Sequence, residues 1–549
     1  MKFPNGNFHP FLLHEQMIEN LLKKDEALFD LPTIPNFFAG QEIFITGGTG
    51  FLGKVLIEKL LRSCPNIKTI YLLLRPKKGH SIDERLTSLC DQVVFDALRV
   101  FNPSFMDKLV PIEGDVSQLG LGMSEHDKNM MKNVSIVYHS AASVRFDDSL
   151  KYAVLMNTRG TREVMEFATT LRNIKCVMHV STTYSNLGYD SVKEEIYPAI
   201  ADWQKTIEIC EKMEENVLNF VTKKYTSFMP NTYVFSKNLA EHVSLHYKDR
   251  LPVIIFRPSI VISAWEEPFR GYVDNFNGPM GILLASHIGI SKTMLCDPKN
   301  TLDMLPVDVC VKAMIISSWK RAHEQQSVLP VINAAAAKMI TVTINQLLDI
   351  GINGSCEEFP PGNLGIFVQS GGVTLCAIWN LIRCFFFQLI PAMIIDTALK
   401  IKGMKPRLMK IQRRIFEANK ALTYFTTHNF DFQNENFIKL ASYLRPEDLK
   451  AFDNTSHYRG SLITYSRFAL YGFRRYLLNF KDEDLEKDRQ RAHKIRIATA
   501  VVKYLMYFIL FCMILFKTDI LSFLPQRRSD CSLNYLSDSE SFYSLRFMD

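Results

Sequence analysis

The sequence has 549 residues, of which 47% are apolar and 22% charged, so it can bury a large core and form two or more domains. Its formal net charge of +7 is small for this length, and it has neither basic–aromatic alternation nor zinc-finger spacing. We therefore expect no nucleic-acid partner and no bound metal. The eleven cysteines include no Cys-x-x-Cys pair, which favours reduced thiols on the cytosolic side of a membrane.

The N-terminal residues 1–39 are predicted to form a leader, in which Leu31–Pro35 is extended and docks on the edge of the next domain. No basic region followed by an apolar stretch is present at the N-terminus, so we expect no secretory signal. The last residues, Arg546–Asp549, match no peroxisomal or endoplasmic-reticulum retention signal.

A glycine-rich turn between a strand and a helix is the central feature of the sequence. The apolar run Ile43–Ile45 predicts a buried parallel strand, and residues 55–61 carry an apolar helical face. Between them, Gly47, Gly50 and Gly53 are spaced three apart, so backbone N–H groups at a helix N-terminus can approach a pyrophosphate. The pattern predicts a dinucleotide site formed by Thr46, Gly47, Gly48, Thr49, Gly50, Phe51, Leu52 and Gly53.

The second predicted strand, Thr69–Leu74, ends in Arg75. In a doubly wound parallel sheet the tip of this strand meets the adenosine ribose. An acidic residue there would bind the 2′-hydroxyl of NAD, whereas a guanidinium pairs with the 2′-phosphate of NADP. Arg75 therefore favours NADP, and the alternative is an ordinary arginine in a solvated loop.

Two further predicted strands bring residues to the cofactor. Leu109–Asp115 ends in Asp115, which with Val116 is placed to meet the adenine. Ser135–His139 is followed by small residues, and Ala141 and Ala142 would let the backbone pass close to the cofactor.

Hydroxyl groups follow the fifth predicted strand, Cys176–Val180. Ser181, Thr182 and Thr183 lie at its C-terminal end, where ligands bind in open α/β sheets. These hydroxyls could hydrogen-bond a substrate carbonyl, and a purely structural role is the alternative.

A Tyr-x-x-x-Lys pair follows in a predicted helix. The i, i+4 spacing places Tyr233 and Lys237 on one helix face, where the cation is expected to lower the pKa of the phenol and make it a usable acid or base. The sixth predicted strand, Val253–Phe256, leads into Arg257 and Pro258, which we expect to close over the nicotinamide. The predicted fold class is α/β, with a Rossmann-type doubly wound parallel sheet over residues 40–355.

The C-terminal part is predicted to be helical and rich in apolar residues. Residues 356–480 are expected to form a smaller helical domain, in which the apolar segment 373–399 carries interrupting charges. Those charges favour a helix pair packed on the protein or lying at a membrane surface over a membrane span. Residues 497–516 form a better candidate transmembrane helix, and residues 517–549 a flexible tail. Basic residues precede this helix, which places the catalytic part in the cytosol; they are Lys487, Arg489, Arg491, Lys494 and Arg496.

The order of these motifs resembles the extended short-chain dehydrogenases/reductases. Several stretches more narrowly resemble the alcohol-forming fatty acyl-CoA reductases: Ile34–Gly40, Lys54–Pro65, Tyr71–Pro76 and Tyr233–Glu241. The resemblance runs from about Ile34 to about Tyr476. It implies reduction of a long-chain or very-long-chain fatty acyl-CoA to the primary alcohol, through a bound aldehyde, with two NADPH. It also implies a C-terminal reductase-associated helical domain.

The resemblance also implies roles for the site residues. Tyr233 would protonate the alkoxide, Lys237 would hold the nicotinamide ribose, and Thr182 with Ser181 would bind the thioester carbonyl. The expected partners are a fatty acyl-CoA and the bilayer of a peroxisomal or endoplasmic-reticulum membrane, and the resemblance is compatible with a homodimer. Two alternatives stay open: another extended dehydrogenase, such as a hydroxysteroid dehydrogenase of the sterol type, and a non-catalytic lipid-binding or scaffold protein.

Overall fold

The computed structural model describes residues 21–22, 31–76, 79–227, 229–276, 278–324, 329–337, 342–349, 358–362, 365, 372–459 and 462–517. Most of the predicted leader and all but the first residue of the predicted tail lie outside these ranges. The chain divides into two compact units, residues 1–493 and 494–549. The domain boundaries predicted at residues 355 and 480 stay predictions.

The first unit is built on a parallel sheet of seven strands. In chain order they are β1 Glu42–Thr46, β2 Thr69–Leu74, β3 Leu109–Glu113, β4 Ile136–His139, β5 Cys176–Val180, β6 Val253–Pro258 and β7 Val331–Ala334. The spatial order is β7-β6-β5-β4-β1-β2-β3, and every neighbouring pair is parallel. The order reverses between β1 and β4, where Thr46 pairs with His139. The C-terminal ends of these strands are where a doubly wound sheet binds its ligand.

Five helices matter for the site and the C-terminal part: α1 Phe51–Ser63, α2 Thr232–His246, α3 Val307–His323, α4 Leu408–Thr427 and α5 Leu485–Lys517. The other α-helices are Ile34–Phe38, Ile82–Cys90, Asp96–Phe101, Glu125–Met130, Leu150–Ala153, Gly160–Thr169, Trp203–Lys212, Glu215–Tyr225, Pro279–His287, Ile344–Asp349, Ala377–Cys384, Ile390–Ile401, Glu435–Lys439, Pro446–Phe452 and Leu462–Gly472. Short π-helical turns cover Val154–Arg159, Phe385–Leu389 and Phe473–Leu477. Three two-stranded pairs join Ile260–Ile262 to Met304–Pro306, Met294–Leu295 to Val373–Thr374, and Ser191–Val192 to Asp431–Phe432.

Helices cover both faces of the sheet, which is why its central strands read as unbroken apolar runs. All five residues of β1 are buried, as are all five of β5. Helices α1 and α3 pack together on one face, and Gly160–Thr169 packs on the other. The predicted doubly wound α/β class is confirmed.

The leader differs from its prediction at the residues that the structure describes. The predicted extended stretch Leu31–Pro35 does not stay extended at its end: Ile34 and Pro35 begin the short helix Ile34–Phe38, because proline is preorganised for the first turn of a helix. This segment does dock on the domain: Trp319 Nε1 donates to the Pro32 carbonyl at 3.0 Å, and Asp448 accepts from the Ile34 N–H at 3.2 Å.

The apolar segment 373–399 forms one long helix rather than the predicted helix pair. It runs from Ala377 to Ile401 and contains the π-helical turn Phe385–Leu389. Among the described residues, this helix and Asp482–Met513 are the two that are long and apolar enough to cross a membrane, judged by length and composition only. The predicted span 497–516 falls within α5.

Candidate active site

The glycine turn connects β1 to α1 as predicted. Gly50 caps the helix, and its N–H donates to the Gly47 carbonyl at 2.9 Å. Gly47 has a φ of +80°, and a Cβ placed there would come within 2.6 Å of the Ala141 backbone nitrogen. A Cβ at Gly53 would collide with the Gly47 carbonyl oxygen. Only glycine therefore lets the turn, the helix N-terminus and the loop after β4 come together, and this cradle fits a pyrophosphate.

A chain of buried hydrogen bonds fixes the turn to β4. Thr46 Oγ1 lies 2.8 Å from His139 Nδ1, and His139 Nε2 lies 3.1 Å from Thr161 Oγ1. The Ala141 N–H donates to Thr46 Oγ1 at 3.3 Å, and Ser140 donates to the Thr46 carbonyl at 2.8 Å. Burial, followed by the nearby charge of Lys237, lowers the pKa of His139 to about 3. A neutral imidazole at this position is a structural link, which motif reasoning did not find.

The predicted adenosine contacts lie at the tips of β2 and β3. Arg75 is exposed directly after β2, and Lys77 and Lys78 lie outside the described residues. Asp115 follows β3, and its carboxylate accepts from the Ser117 N–H and hydroxyl, each at 2.8 Å. Val116 beside it is buried. Arg75, Asp115 and Val116 therefore lie at the C-terminal ends of β2 and β3, as the sequence predicted.

The three hydroxyls after β5 have different surroundings. Ser181 Oγ donates to Glu241 Oε1 at 2.5 Å, which directs it into a buried network. Thr183 Oγ1 is buried and has no hydrogen-bond partner in the part of the chain that the structure describes. Thr182 Oγ1 instead accepts the Tyr184 N–H at 3.3 Å, and Thr182 lines an open cavity. Of these three residues, only Thr182 lines the cavity that also contains the predicted catalytic tyrosine.

Tyr233 and Lys237 lie on α2 as predicted, but the expected effect of the lysine on the phenol is wrong. Burial raises the pKa of Tyr233 to about 12, and the hydrogen bond from Thr182 only partly opposes this rise. Lys237 Nζ donates to the Val180 carbonyl at 2.7 Å, and burial lowers the pKa of Lys237 to about 8 although Glu241 opposes the shift. The phenol is therefore held in its protonated form.

Arg257 does not close over the cofactor crevice as expected. Its side chain is fully buried and forms two hydrogen bonds with Glu241, Nε to Oε1 and a terminal nitrogen to Oε2, each at 2.8 Å. Glu241 also accepts from Ser185 at 2.9 Å, and its pKa is lowered because Arg257 and the serine donors outweigh burial. Glu241 lies four residues beyond Lys237, so continuing the i, i+4 spacing would have found it.

An apolar cavity of about 200 Å³ opens beside the catalytic candidates. Five residues of its lining carry a hydroxyl group: Thr182, Tyr184, Tyr233, Ser259 and Thr426. The rest is lined mainly by apolar side chains, which come from three parts of the chain: Val144 and Phe146; Ile260, Leu283, Met294 and Leu302; and Leu347, Leu348, Leu422 and Phe425. Sequence reasoning missed these residues, because no local motif marks them.

Two family models, both described as male sterility protein, match residues 45–314 and 387–480; the first is an NAD-binding model. Over 488 residues the chain is 34% identical to the fatty acyl-CoA reductase wat of Drosophila melanogaster, covering 88% of this chain and 92% of that protein. The chain belongs to the fatty acyl-CoA reductase family. Fatty acyl-CoA reductase 1 of Rattus norvegicus is 34% identical, over 84% of this chain and 90% of its own length. Fatty acyl-CoA reductase 2 of Homo sapiens is 32% identical, over 85% and 90%.

Solved structures agree with the fold. The terminal R domain from the myxalamid PKS-NRPS pathway matches with a TM-score of 0.52 at 19% identity, covering 84% of this chain and 97% of that one. The reductase domain of a nonribosomal peptide synthetase from Mycobacterium tuberculosis matches with a TM-score of 0.50 at 15% identity, covering 85% and 96%. The resemblance drawn from the sequence motifs is confirmed: the protein is an NAD(P)-binding oxidoreductase of the fatty acyl-CoA reductase family.

Proposed function

We propose that the protein reduces a long-chain or very-long-chain fatty acyl-CoA to the primary alcohol and CoA, using two NADPH. The observation that carries this proposal is the cavity, in which Tyr233 and Thr182 line an enclosure with mainly apolar walls. A thioester carbonyl fits beside the two hydroxyl-bearing side chains and an acyl chain fits the apolar walls. The names of the relatives support the same substrate class.

Thr182 and Tyr233 act on the carbonyl oxygen in this proposal. Reduced nicotinamide supplies a hydride for each of two additions to carbon. In the first, the two hydroxyls stabilise the negative oxygen, the C–S bond then breaks, and CoA leaves as the thiolate. In the second, the aldehyde oxygen takes the same position, and Tyr233 gives its proton to the alkoxide. Although burial raises the pKa of Tyr233 to about 12, the phenol stays more acidic than an aliphatic alcohol, so its proton can pass to the alkoxide.

The residues around the glycine turn would hold the cofactor. The turn Thr46–Gly53 would take the pyrophosphate, Ala141, Ala142 and Pro258 would line the nicotinamide side, and Asp115 and Val116 the adenine. Lys237, already anchored on the Val180 carbonyl beside Tyr233, would reach the nicotinamide ribose. A Cβ at Gly47 or Gly53 would collide with neighbouring backbone atoms of the turn, so the glycines keep the backbone close enough to bind a pyrophosphate, which supports this assignment.

The proposed preference for NADPH depends on Arg75. Replacing Arg75 with alanine should weaken NADPH binding by about tenfold or more and leave NADH binding nearly unchanged, because only NADPH carries the 2′-phosphate that the guanidinium would pair with. Fluorescence titration of both cofactors measures this. Arg85→Ala is the control, since Arg85 lies on the next helix and donates to the Arg75 carbonyl. Equal weakening of both cofactors by Arg75→Ala would contradict the assignment.

The activity itself is tested with the purified protein and a panel of acyl-CoAs. NADPH consumption is followed by absorbance and products are identified by gas chromatography. Alcohol with about two NADPH per acyl-CoA supports the proposal and gives the chain-length range. Aldehyde as the final product would contradict the four-electron step, and the absence of acyl-CoA-dependent oxidation would contradict the substrate.

We also propose that α5 anchors the protein in a peroxisomal or endoplasmic-reticulum membrane, with the catalytic unit in the cytosol. Placing arginines at its centre, Leu505→Arg with Ile509→Arg, should release the protein on alkaline carbonate extraction, because each arginine costs about 2.5–3.5 kcal/mol at mid-membrane. Val100→Arg with Phe101→Arg is the matched control, since these two residues are exposed on the catalytic unit. Full retention of the Leu505/Ile509 variant would contradict an anchor at α5.

A further inference from the structure

The helix Ala377–Ile401 buries polar side chains and exposes apolar ones, which is the reverse of a helix in a soluble domain. Its buried positions, Gln388, Ala392 and Asp396, are spaced four residues apart and therefore form one face. Two of these three inward-facing side chains are polar. A helix packed on a soluble core normally buries its apolar face instead.

The apolar side chains of this helix point outward. Those exposed by half or more are Ile378, Trp379, Leu381, Phe385, Phe386, Phe387, Met393, Ile394 and Ile401. So many exposed apolar side chains on one helix are unusual for a soluble monomer and mark an interaction site. We call these nine residues the apolar face.

Polar contacts near both of its ends hold this helix along the folded unit. Near its start, Thr293 donates to the Asn380 side chain at 2.7 Å. Near its end, the carboxylate of Asp396 accepts the N–H groups of Leu408 at 3.0 Å and Met409 at 2.8 Å, which caps α4. Crossing a membrane would put these polar contacts into hydrocarbon, so the helix is built to lie on a surface rather than to cross it.

The basic residues that follow the apolar face in the chain indicate which kind of surface it contacts. Eight exposed basic residues lie between positions 400 and 420: Lys400, Lys402, Lys405, Arg407, Lys410, Arg413, Arg414 and Lys420. The same stretch holds one acidic residue, Glu417. Apolar and aromatic side chains followed by a basic cluster match the acyl boundary and the anionic headgroups of a phospholipid leaflet. A protein partner would not require this excess of one charge.

We propose that the apolar face and the basic stretch seat the catalytic unit on an anionic phospholipid bilayer, with the helix Ala377–Ile401 lying in the interface. Helix α4, which packs against this helix, carries Leu422 and Phe425 into the wall of the active-site cavity. If the proposed substrate is correct, this arrangement brings the cavity next to the leaflet in which long acyl chains partition.

Trp379 provides a direct test, because it lies on the apolar face and the chain has only four tryptophans. The full-length protein is reconstituted into vesicles of phosphatidylcholine with 30% phosphatidylserine, with and without brominated acyl chains. We expect brominated lipid to quench part of the tryptophan emission, and Trp379→Phe to remove that quenched part. Replacing Lys402, Lys405 and Arg407 with glutamine should reduce the quenching by severalfold.

The outcomes are distinguishable without an activity assay. Quenching that is the same with and without Trp379 would overturn the proposal. A blue-shifted Trp379 emission that brominated lipid leaves unquenched would also overturn it, since the face would then be covered by protein, either a second copy or another segment. Because the readout is fluorescence, a failure of the proposed reductase activity leaves this result unaffected.

Discussion

Tyr233→Phe should reduce acyl-CoA-dependent NADPH oxidation by roughly 10²- to 10⁴-fold, the usual contribution of a positioned proton donor, while NADPH binding stays at the parental level. The substitution removes one hydroxyl from the lining of the cavity and leaves the ring in place. That hydroxyl is protonated at neutral pH, so it carries the proton that the alkoxide needs. Steady-state rates with a saturating acyl-CoA measure the loss, and fluorescence titration measures cofactor binding.

Tyr184→Phe is the matched control for this loss. Tyr184 lines the same cavity, and its ring packs edge-on against Phe425, Phe430 and Phe432. This variant, like Tyr233→Phe, removes one phenol oxygen from the cavity, but no proton transfer is proposed for Tyr184. The rate should therefore stay within a few-fold of the parent. Parental turnover in Tyr233→Phe, or equal losses in both variants, would contradict the assigned role.

Much of the fold follows from local sequence patterns. Six of the seven sheet strands were found from mainly apolar runs, and two of them, β2 and β5, have the predicted boundaries. The seventh strand, Val331–Ala334, was missed because no motif accompanies it and it is defined by its pairing with β6 rather than by its own pattern. Ile34 and Pro35 were predicted to be extended as part of Leu31–Pro35, because prolines punctuate that stretch, whereas proline also favours the first turn of a helix.

The features of the candidate site likewise fall into those that local sequence patterns predicted and those that depend on tertiary packing. Residues joined by fixed spacing, such as the glycine turn and the pair Tyr233 and Lys237, were found from the sequence and lie where the motif requires. The direction of the Tyr233 pKa shift was not predictable from spacing, because it is set by burial, to which distant segments contribute. Arg257 likewise looked like a cofactor contact beside Pro258, and only the packing of α2 against β6 brings it to Glu241.

The same buried pair carries the second large prediction: Glu241→Ala should lower the free energy of unfolding by about 3–5 kcal/mol, because it leaves the Arg257 charge buried without its partner. The two side chains are 2% and 0% exposed, so water cannot compensate for the lost carboxylate. Ser181, Ser185 and Asn186 would each lose one hydrogen-bond acceptor as well. Urea denaturation of the purified protein, followed by intrinsic fluorescence, measures the change.

Two further variants separate charge from shape. Glu241→Gln keeps the size and one acceptor oxygen, so it should destabilise less than Glu241→Ala. The double variant Glu241→Leu with Arg257→Met removes both charges and should recover much of the loss, since a buried pair replaced by apolar side chains is often neutral. In all three variants Ser181 loses its strongest acceptor, so the orientation of neighbouring Thr182 is released and turnover should fall even where stability returns. A double variant as unstable as Glu241→Ala would show that packing, and not the unpaired guanidinium, sets the cost.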